Sequence, residues 1–92
     1  MPDGPTTFIV ECFWPGVDEP AVDALNVRAA AAAHALAEAG DPVRFVGSIL
    51  VPDDEVLLCE FEGTEPLVRR AAEDAEIPFA RIVKSARSPR GL

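Results

Sequence analysis

Two cysteines and two glutamates are the residues of this 92-residue chain whose types and placement best suit chemistry. Glu11 and Cys12 adjoin in one apolar stretch, and Cys59 and Glu60 adjoin in another. Successive side chains of a strand point to opposite faces, so each glutamate is expected to face away from the neighbouring cysteine. The cysteines have neither metal-motif nor disulfide-framework spacing. Because no histidine or lysine stands near Cys59 to activate a thiolate, two buried thiols that fill the core are the favoured interpretation.

The glutamates are candidate site residues because a carboxylate on a half-buried sheet face must be paired or protonated. Three interpretations of Glu11 and Glu60 are open. They form ion pairs at a subunit seam, with Arg44 or Arg81 as partner; they form an acid/base or cation site; or they are simply exposed. The ion pair is the favoured interpretation.

Three further side chains are candidates because of where they fall along the chain. His34 is the single histidine, and helical spacing places it opposite the apolar stripe of the first helix. It lies one turn before Glu38, so an exposed pair is expected there. Asn26 lies on the same helix, near the rim of any pocket. Trp14 follows the first strand, where it either closes over a pocket or caps the core.

The elements that must position these residues follow from periodicity and from turn signals. Asp18 and Thr64 are N-cap candidates, each followed by a proline in the first turn, and Gly40 is a candidate left-handed C-cap. Residues 1–5 and 88–92 are expected to be frayed tails. The predicted elements are strands at 6–13, 43–51, 55–62 and 79–86, a first helix at 21–39, and a second helix after Thr64.

This order, β-α-β-β-α-β, is the split βαβ or ferredoxin-like arrangement of the α+β class. Right-handed crossovers place both helices on one face of a four-stranded antiparallel sheet. The other face would then expose Ile9, Phe13, Val56 and Leu58 as a sizeable apolar patch. Pairing two such sheets in a symmetric homodimer would cover it.

Composition limits the classes of protein. Ninety-two residues make one domain, 1–92, and 49% hydrophobic residues are too many for a disordered chain. A net charge of −8 argues against nucleic-acid binding, because a phosphate backbone would be repelled. No apolar run approaches a membrane span, and the amino terminus lacks a secretory signal pattern. We therefore expect a cytoplasmic protein that binds no membrane.

Three stretches of the sequence together resemble a family of small bacterial domains of unknown function, some of which are nickel-responsive binding proteins. They are FIVECFWPG, the turn PDDE, and LLCEFEGTEPLVRRAAEDAEIPFARIVKS. The resemblance covers most of the chain and is strongest over residues 57–85. It implies the dimeric α/β-barrel variant of the ferredoxin-like fold.

The same resemblance bears on metal binding. Members of the nickel-binding type tend to have a histidine followed by serine in the second strand, whereas this chain has Gly47 followed by Ser48. Nickel or another divalent metal is a candidate ligand by resemblance. A borderline ion of this kind prefers imidazole or thiolate ligands, so the missing ring argues against it.

Three functions follow as hypotheses, and no catalytic residue is assigned. The first is a noncatalytic binding protein for a small molecule. The second is a cofactor-free isomerase or monooxygenase, by analogy of fold, and the third is an oligomerising interaction module. A pocket lined by Asn26, Trp14 or the thiols would favour binding or catalysis, and a filled core would favour the third. The candidate pocket or seam residues are Glu11, Trp14, Asn26, Cys59 and Glu60.

Overall fold

A computed structural model describes residues 6–86, so both expected tails lie outside the described range. The elements follow the order predicted from the sequence, with a short 3-10 turn at Pro52–Asp54 between the second and third strands. They are β1 (Thr7–Phe13), α1 (Glu19–Glu38), β2 (Arg44–Val51), β3 (Val56–Glu62), α2 (Glu65–Asp74) and β4 (Arg81–Ser85).

The four strands form one antiparallel sheet in the order β2-β3-β1-β4. The two inner strands, β1 and β3, pair along their whole length, from Thr7 opposite Glu62 to Phe13 opposite Val56. The outer strands are β2, which pairs with β3, and β4, which pairs with β1, as two interleaved βαβ units require. The predicted ferredoxin-like α+β fold is confirmed.

The first helix begins where its capping residues predict. Asp18 has an extended backbone, and its Oδ1 accepts a hydrogen bond from the Ala21 amide at 3.0 Å. This bond satisfies one of the amides left without a partner at a helix start. The helix therefore begins at Glu19, two residues before the predicted boundary. It ends before Gly40, whose φ of +96° is the left-handed conformation expected after a helix.

The chain between the second helix and the last strand differs from the prediction. The last strand covers Arg81–Ser85 rather than 79–86. The reason is a tight turn, in which the Phe79 amide donates to the Ile77 carbonyl at 2.8 Å. Regular pairing with β1 starts only after the Ala80 amide donates to the Glu11 carbonyl at 2.7 Å.

The core lies between the two helices and one face of the sheet. In β1 and β3 the buried side chains alternate strictly with half-buried or exposed ones, which is the period of a sheet with one covered face. Leu25 of α1 and Val68 of α2 are fully buried against this face. No helix within residues 6–86 is both long and apolar enough to cross a bilayer. The fully buried strand residues are Val10, Cys12, Leu57, Cys59 and Phe61.

Candidate functional site

A polar pair joins the first helix to the edge strand β2. The Ser48 hydroxyl donates a hydrogen bond of 2.7 Å to Oδ1 of Asn26, and the contact is partly buried. Asn26 lies within α1, one residue after the fully buried Leu25. Ser48 lies opposite Cys59 of β3, on the face of the sheet that the helices cover.

A bulge in β2 is what places Ser48 on that face. Phe45 lies opposite Phe61, but Gly47 rather than Val46 lies opposite Glu60. The extra residue reverses the alternation that regular pairing would give. Without it, Ser48 would point to the uncovered face of the sheet. The bulge therefore builds the contact with Asn26.

Around this pair the surface forms a cleft, which we call the α1–β2 cleft. It encloses about 320 Å³. Asn26 and Ser48 form its polar wall, Leu50 contributes apolar surface, and the carboxylates of Glu19 and Asp23 also line it. Since Oδ1 of Asn26 accepts from Ser48, the amide group of Asn26 keeps two N–H donors for a ligand. The Ser48 oxygen keeps lone pairs that accept.

The groups in the cleft are suited to binding rather than to nucleophilic chemistry. A serine acts as a nucleophile when an adjacent base takes its proton, and the hydrogen-bond partner of Ser48 is an amide, which is not a base. His34 lines a different groove, on the other half of α1, together with Ala33 and Ala37. Its imidazole is 3.9 Å from Glu38 and is 76% exposed, as the helical spacing predicted.

The two cysteines meet inside the core, and neither lines this cleft. Cys12 lies opposite Leu57, and Cys59 lies opposite Val10, so the thiols are diagonal neighbours on one face. Both are free and fully buried. The hydrogen bond with Cys12 raises the pKa of the Cys59 thiol, and burial raises it further. The same bond lowers the pKa of Cys12, against the effect of burial.

The prediction that both cysteines face the helices and fill the core agrees with these positions. A thiol in such surroundings reacts slowly, because the thiolate is the reactive form and water does not reach it. No group of three or more histidine, cysteine or acidic side chains within residues 6–86 is placed to hold a metal ion.

The candidate glutamates lie on the uncovered face of the sheet. Glu11 is 30% exposed and accepts a hydrogen bond of 2.7 Å from Nε of Arg81, its direct neighbour on β4. This hydrogen bond and the charge of Glu11 raise the pKa of Arg81. Arg44 makes the equivalent contact with Glu62 at 2.9 Å. Of the two arginines considered for Glu11, the structure therefore selects Arg81 and places the pair within one chain.

Glu60 occupies a different setting on the same face. It lies opposite Ile9 and lines a shallow hollow of about 240 Å³ with Thr7, Ile9 and Ser85. The hollow lies at the β1–β4 side of the sheet, where Ser85 donates to the Thr7 carbonyl at 3.2 Å. Both candidate glutamates thus lie on one face and on adjacent strands, as strand alternation predicted.

Apolar side chains occupy much of this uncovered face, which we call the open face. Phe13 is 61% exposed and Ile49 is 62% exposed, and the others are half-buried. Neighbouring strands supply them in register, for example Ile49 opposite Leu58 and Phe13 opposite Val56. The apolar residues of the open face are Ile9, Phe13, Ile49, Val51, Val56, Leu58 and Val83.

Trp14 takes the second of its two predicted roles. Its side chain is partly buried against the core, and its amide donates to the Glu55 carbonyl at 2.8 Å. It does not line the α1–β2 cleft. The residue that the sequence analysis missed is Ser48 as the partner of Asn26, because the bulge that brings them together leaves no signal in a strand alternation pattern.

Comparisons with known proteins agree with this architecture. No family model matches the chain, and no curated protein matches it. Among solved structures, the chain is similar to SCO4226 from Streptomyces coelicolor A3(2), with a TM-score of 0.70 and 19% sequence identity. The match covers 89% of this chain and 98% of that one. At this identity the likeness concerns the fold, and the chain is a small α+β domain of that architecture.

Proposed function

We propose that this protein is a noncatalytic binding protein that holds a small polar molecule in the α1–β2 cleft and acts as a homodimer in the cytoplasm. The observation that carries the proposal is the Ser48–Asn26 hydrogen bond on the wall of an open cleft. Small-molecule sites typically combine apolar surface with a few convergent polar groups, and this cleft has both.

The size and chemistry of the cleft set the kind of ligand. A volume of about 320 Å³ lies at the low end of the range for ligand pockets, about 300–1,000 Å³. The free N–H donors of Asn26 suit a carbonyl or a hydroxyl oxygen. The Ser48 oxygen and the carboxylates of Glu19 and Asp23 suit an N–H or O–H donor. A compact molecule with both donors and acceptors is the class that fits.

Binding rather than nucleophilic catalysis is supported by the hydrogen bonding of Ser48, whose partner at the cleft is an amide and not a base. The described lining residues include no histidine, cysteine or lysine, and Ser48 lacks an activating base. The alternative function, a cofactor-free enzyme, is supported only by analogy of fold.

The homodimer is supported by the open face. Phe13 and Ile49 would each leave water in a face-to-face pairing of two sheets, and burial of apolar surface is favourable by about 25 cal/mol per Å². Isologous pairing presents the same patch on both partners. The resemblance to dimeric α/β-barrel proteins supports the same arrangement. Two buried free thiols are in keeping with a reducing compartment.

The test combines native mass spectrometry with site-directed variants. Protein purified without chelator or affinity metal is expected to appear as two chains, with a small-molecule adduct when the ligand is retained. Pooled polar metabolites are then screened by nuclear magnetic resonance, and binders should shift the amides of Asn26 and Ser48. Ser48→Ala should weaken binding by about fivefold or more, the effect of one lost hydrogen bond.

Ser85→Ala is the matched control, because its hydroxyl also donates a partly buried hydrogen bond, at the opposite edge of the sheet. It should leave binding unchanged. A screen in which no metabolite shifts the cleft amides, together with clean two-chain masses, would refute the binding function and leave the interaction module. A clean monomer would refute the homodimer.

A further inference from the structure

The outer surface between the two helices carries a second feature, independent of the α1–β2 cleft. A shallow groove of about 580 Å³ runs along the helices on the side away from the sheet. Its floor is apolar and includes Ala31, Ala35 and Leu36 of α1. The charged residues that line it are Arg28 on α1, and Arg70 and Asp74 on α2.

The two arginines stand out because the other three arginines within residues 6–86 are paired. Arg44, Arg69 and Arg81 each form an ion pair with a glutamate. Arg28 and Arg70, in contrast, form no ion pair with any residue of the range 6–86. Both unpaired guanidinium groups line the same groove. With one carboxylate among the lining residues, the groove carries a local charge of +1 in a chain of −8.

Arg28 is also held in position by the fold. Its Nε donates to the carbonyl of Ala75, the C-cap of α2, at 2.8 Å. A guanidinium has five N–H donors, so the remaining four stay available for an anion. Arg70 projects from the facing helix. The two arginines therefore offer charge-assisted donors from both helices that form the groove.

We infer that this groove binds a small amphipathic anion, an aliphatic carboxylate whose head group lies between Arg28 and Arg70 and whose chain lies along the alanines. Charge complementarity selects the head group, and the apolar floor selects the tail. From Arg28 to Leu36 the helix rises about 12 Å, which is room for a medium-length chain. Nucleic acid is disfavoured, because the rest of the surface is acidic.

The experiment follows the backbone amides of the full chain by nuclear magnetic resonance during titration with decanoate below its micelle-forming concentration. Saturable shifts are expected at Ala31, Ala35 and Arg70. Butyrate, which has the charge without the chain, and decanol, which has the chain without the charge, should each bind at least about fivefold more weakly. Equal shifts with either would overturn the proposal, as would decanoate shifts confined to the open face.

Variants separate the groove from a general charge effect. Arg70→Gln should weaken decanoate binding about fivefold, the effect of one exposed ion pair. Arg69→Gln removes the same charge one position away, from a residue paired with Glu65, and should leave binding unchanged. Ala35→Leu should block the floor, whereas Ala24→Leu, an exposed alanine elsewhere on α1, should not. Wild-type affinity in Arg70→Gln, or an equal loss in Arg69→Gln, would refute the proposal.

Arg70 is the primary variant because Arg28 also donates a hydrogen bond to the end of α2, so that Arg28→Gln would remove this contact as well as the charge. The outcome is independent of the function proposed for the α1–β2 cleft. Loss of decanoate binding in Arg70→Gln should leave the shifts of the Asn26 and Ser48 amides with cleft ligands unchanged.

Discussion

The two faces of the sheet are formed by alternate residues of the same strands, yet they have opposite characters. In β3, Leu57, Cys59 and Phe61 are fully buried under the helices, while Leu58 and Glu60 between them face outward. The covered face is almost purely apolar, and the open face mixes apolar side chains with arginine–glutamate pairs. The proposed homodimer would cover this mixed face, whereas the apolar face under the helices stabilises the single chain.

The largest effect is expected on the covered face. Phe61→Ala removes a fully buried ring that packs at 5.1 Å from the ring of Phe45. We expect a loss of about 3–5 kcal/mol in the free energy of unfolding, measured by urea denaturation. Leu58→Ala, three residues earlier on the open face, should cost far less at concentrations where the protein is monomeric. Equal losses for the two variants would contradict the distinction between the faces.

The open face is tested next through association. Ile49→Asp places a charge in the middle of the apolar patch, and burying an unpaired carboxylate against a partner is costly. We expect the dissociation constant of the proposed dimer to rise by at least about tenfold, measured by analytical ultracentrifugation. Val27→Asp is the control, because Val27 is 70% exposed on α1, away from the sheet. If both variants keep the wild-type constant, the open face is not the interface.

The two faces also show how far the structure can be predicted from the sequence. Strand alternation in β1 and β3 correctly divides the buried residues from the exposed ones, because both inner strands pair in regular register. Both helix starts are also predicted from local residues. Asp18 makes its capping hydrogen bond, whereas Thr64 takes the N-cap position of α2 without a side-chain hydrogen bond. The face on which Ser48 lies could not be predicted from the sequence. One extra residue at Val46 forms a bulge that reverses the alternation of side chains, and such a bulge depends on tertiary pairing. For the same reason, register rather than composition selects Arg81 as the partner of Glu11.

The cysteines give the covered face a dependence on pH. The raised pKa of Cys59 means that the folded state retains a proton that the unfolded chain loses near pH 9.0. Stability should therefore be fully present below pH 9 and fall above it, by about 1.4 kcal/mol per pH unit for one retained proton. The lowered pKa of Cys12 has the opposite effect, because the folded state loses this proton at a lower pH than the unfolded chain does. Its contribution makes stability rise with pH, and the rise ends near pH 9.

The measurement is urea denaturation between pH 8 and pH 10 under reducing conditions. Removal of Cys59 alone would leave Cys12 in the core with its pKa raised by burial, so both thiols are replaced. The double variant Cys12→Ala/Cys59→Ala should lower stability at every pH but flatten its decline above pH 9 relative to the wild type. A decline with the same slope in the double variant would assign the pH dependence to other groups and would refute the role of the thiol pair.

The smallest expected effect concerns the carboxylates of the open face. Glu60→Gln keeps the shape of the side chain and removes its charge in the hollow beside Ile9. If the charge of Glu60 contributes to a seam, the dimer dissociation constant should rise a few-fold, since partly exposed ion pairs contribute at most about 1 kcal/mol. Glu73→Gln, an exposed position on α2, controls for the change in net charge. Unchanged affinity of the proposed dimer in Glu60→Gln would show that the charge of Glu60 does not contribute to association.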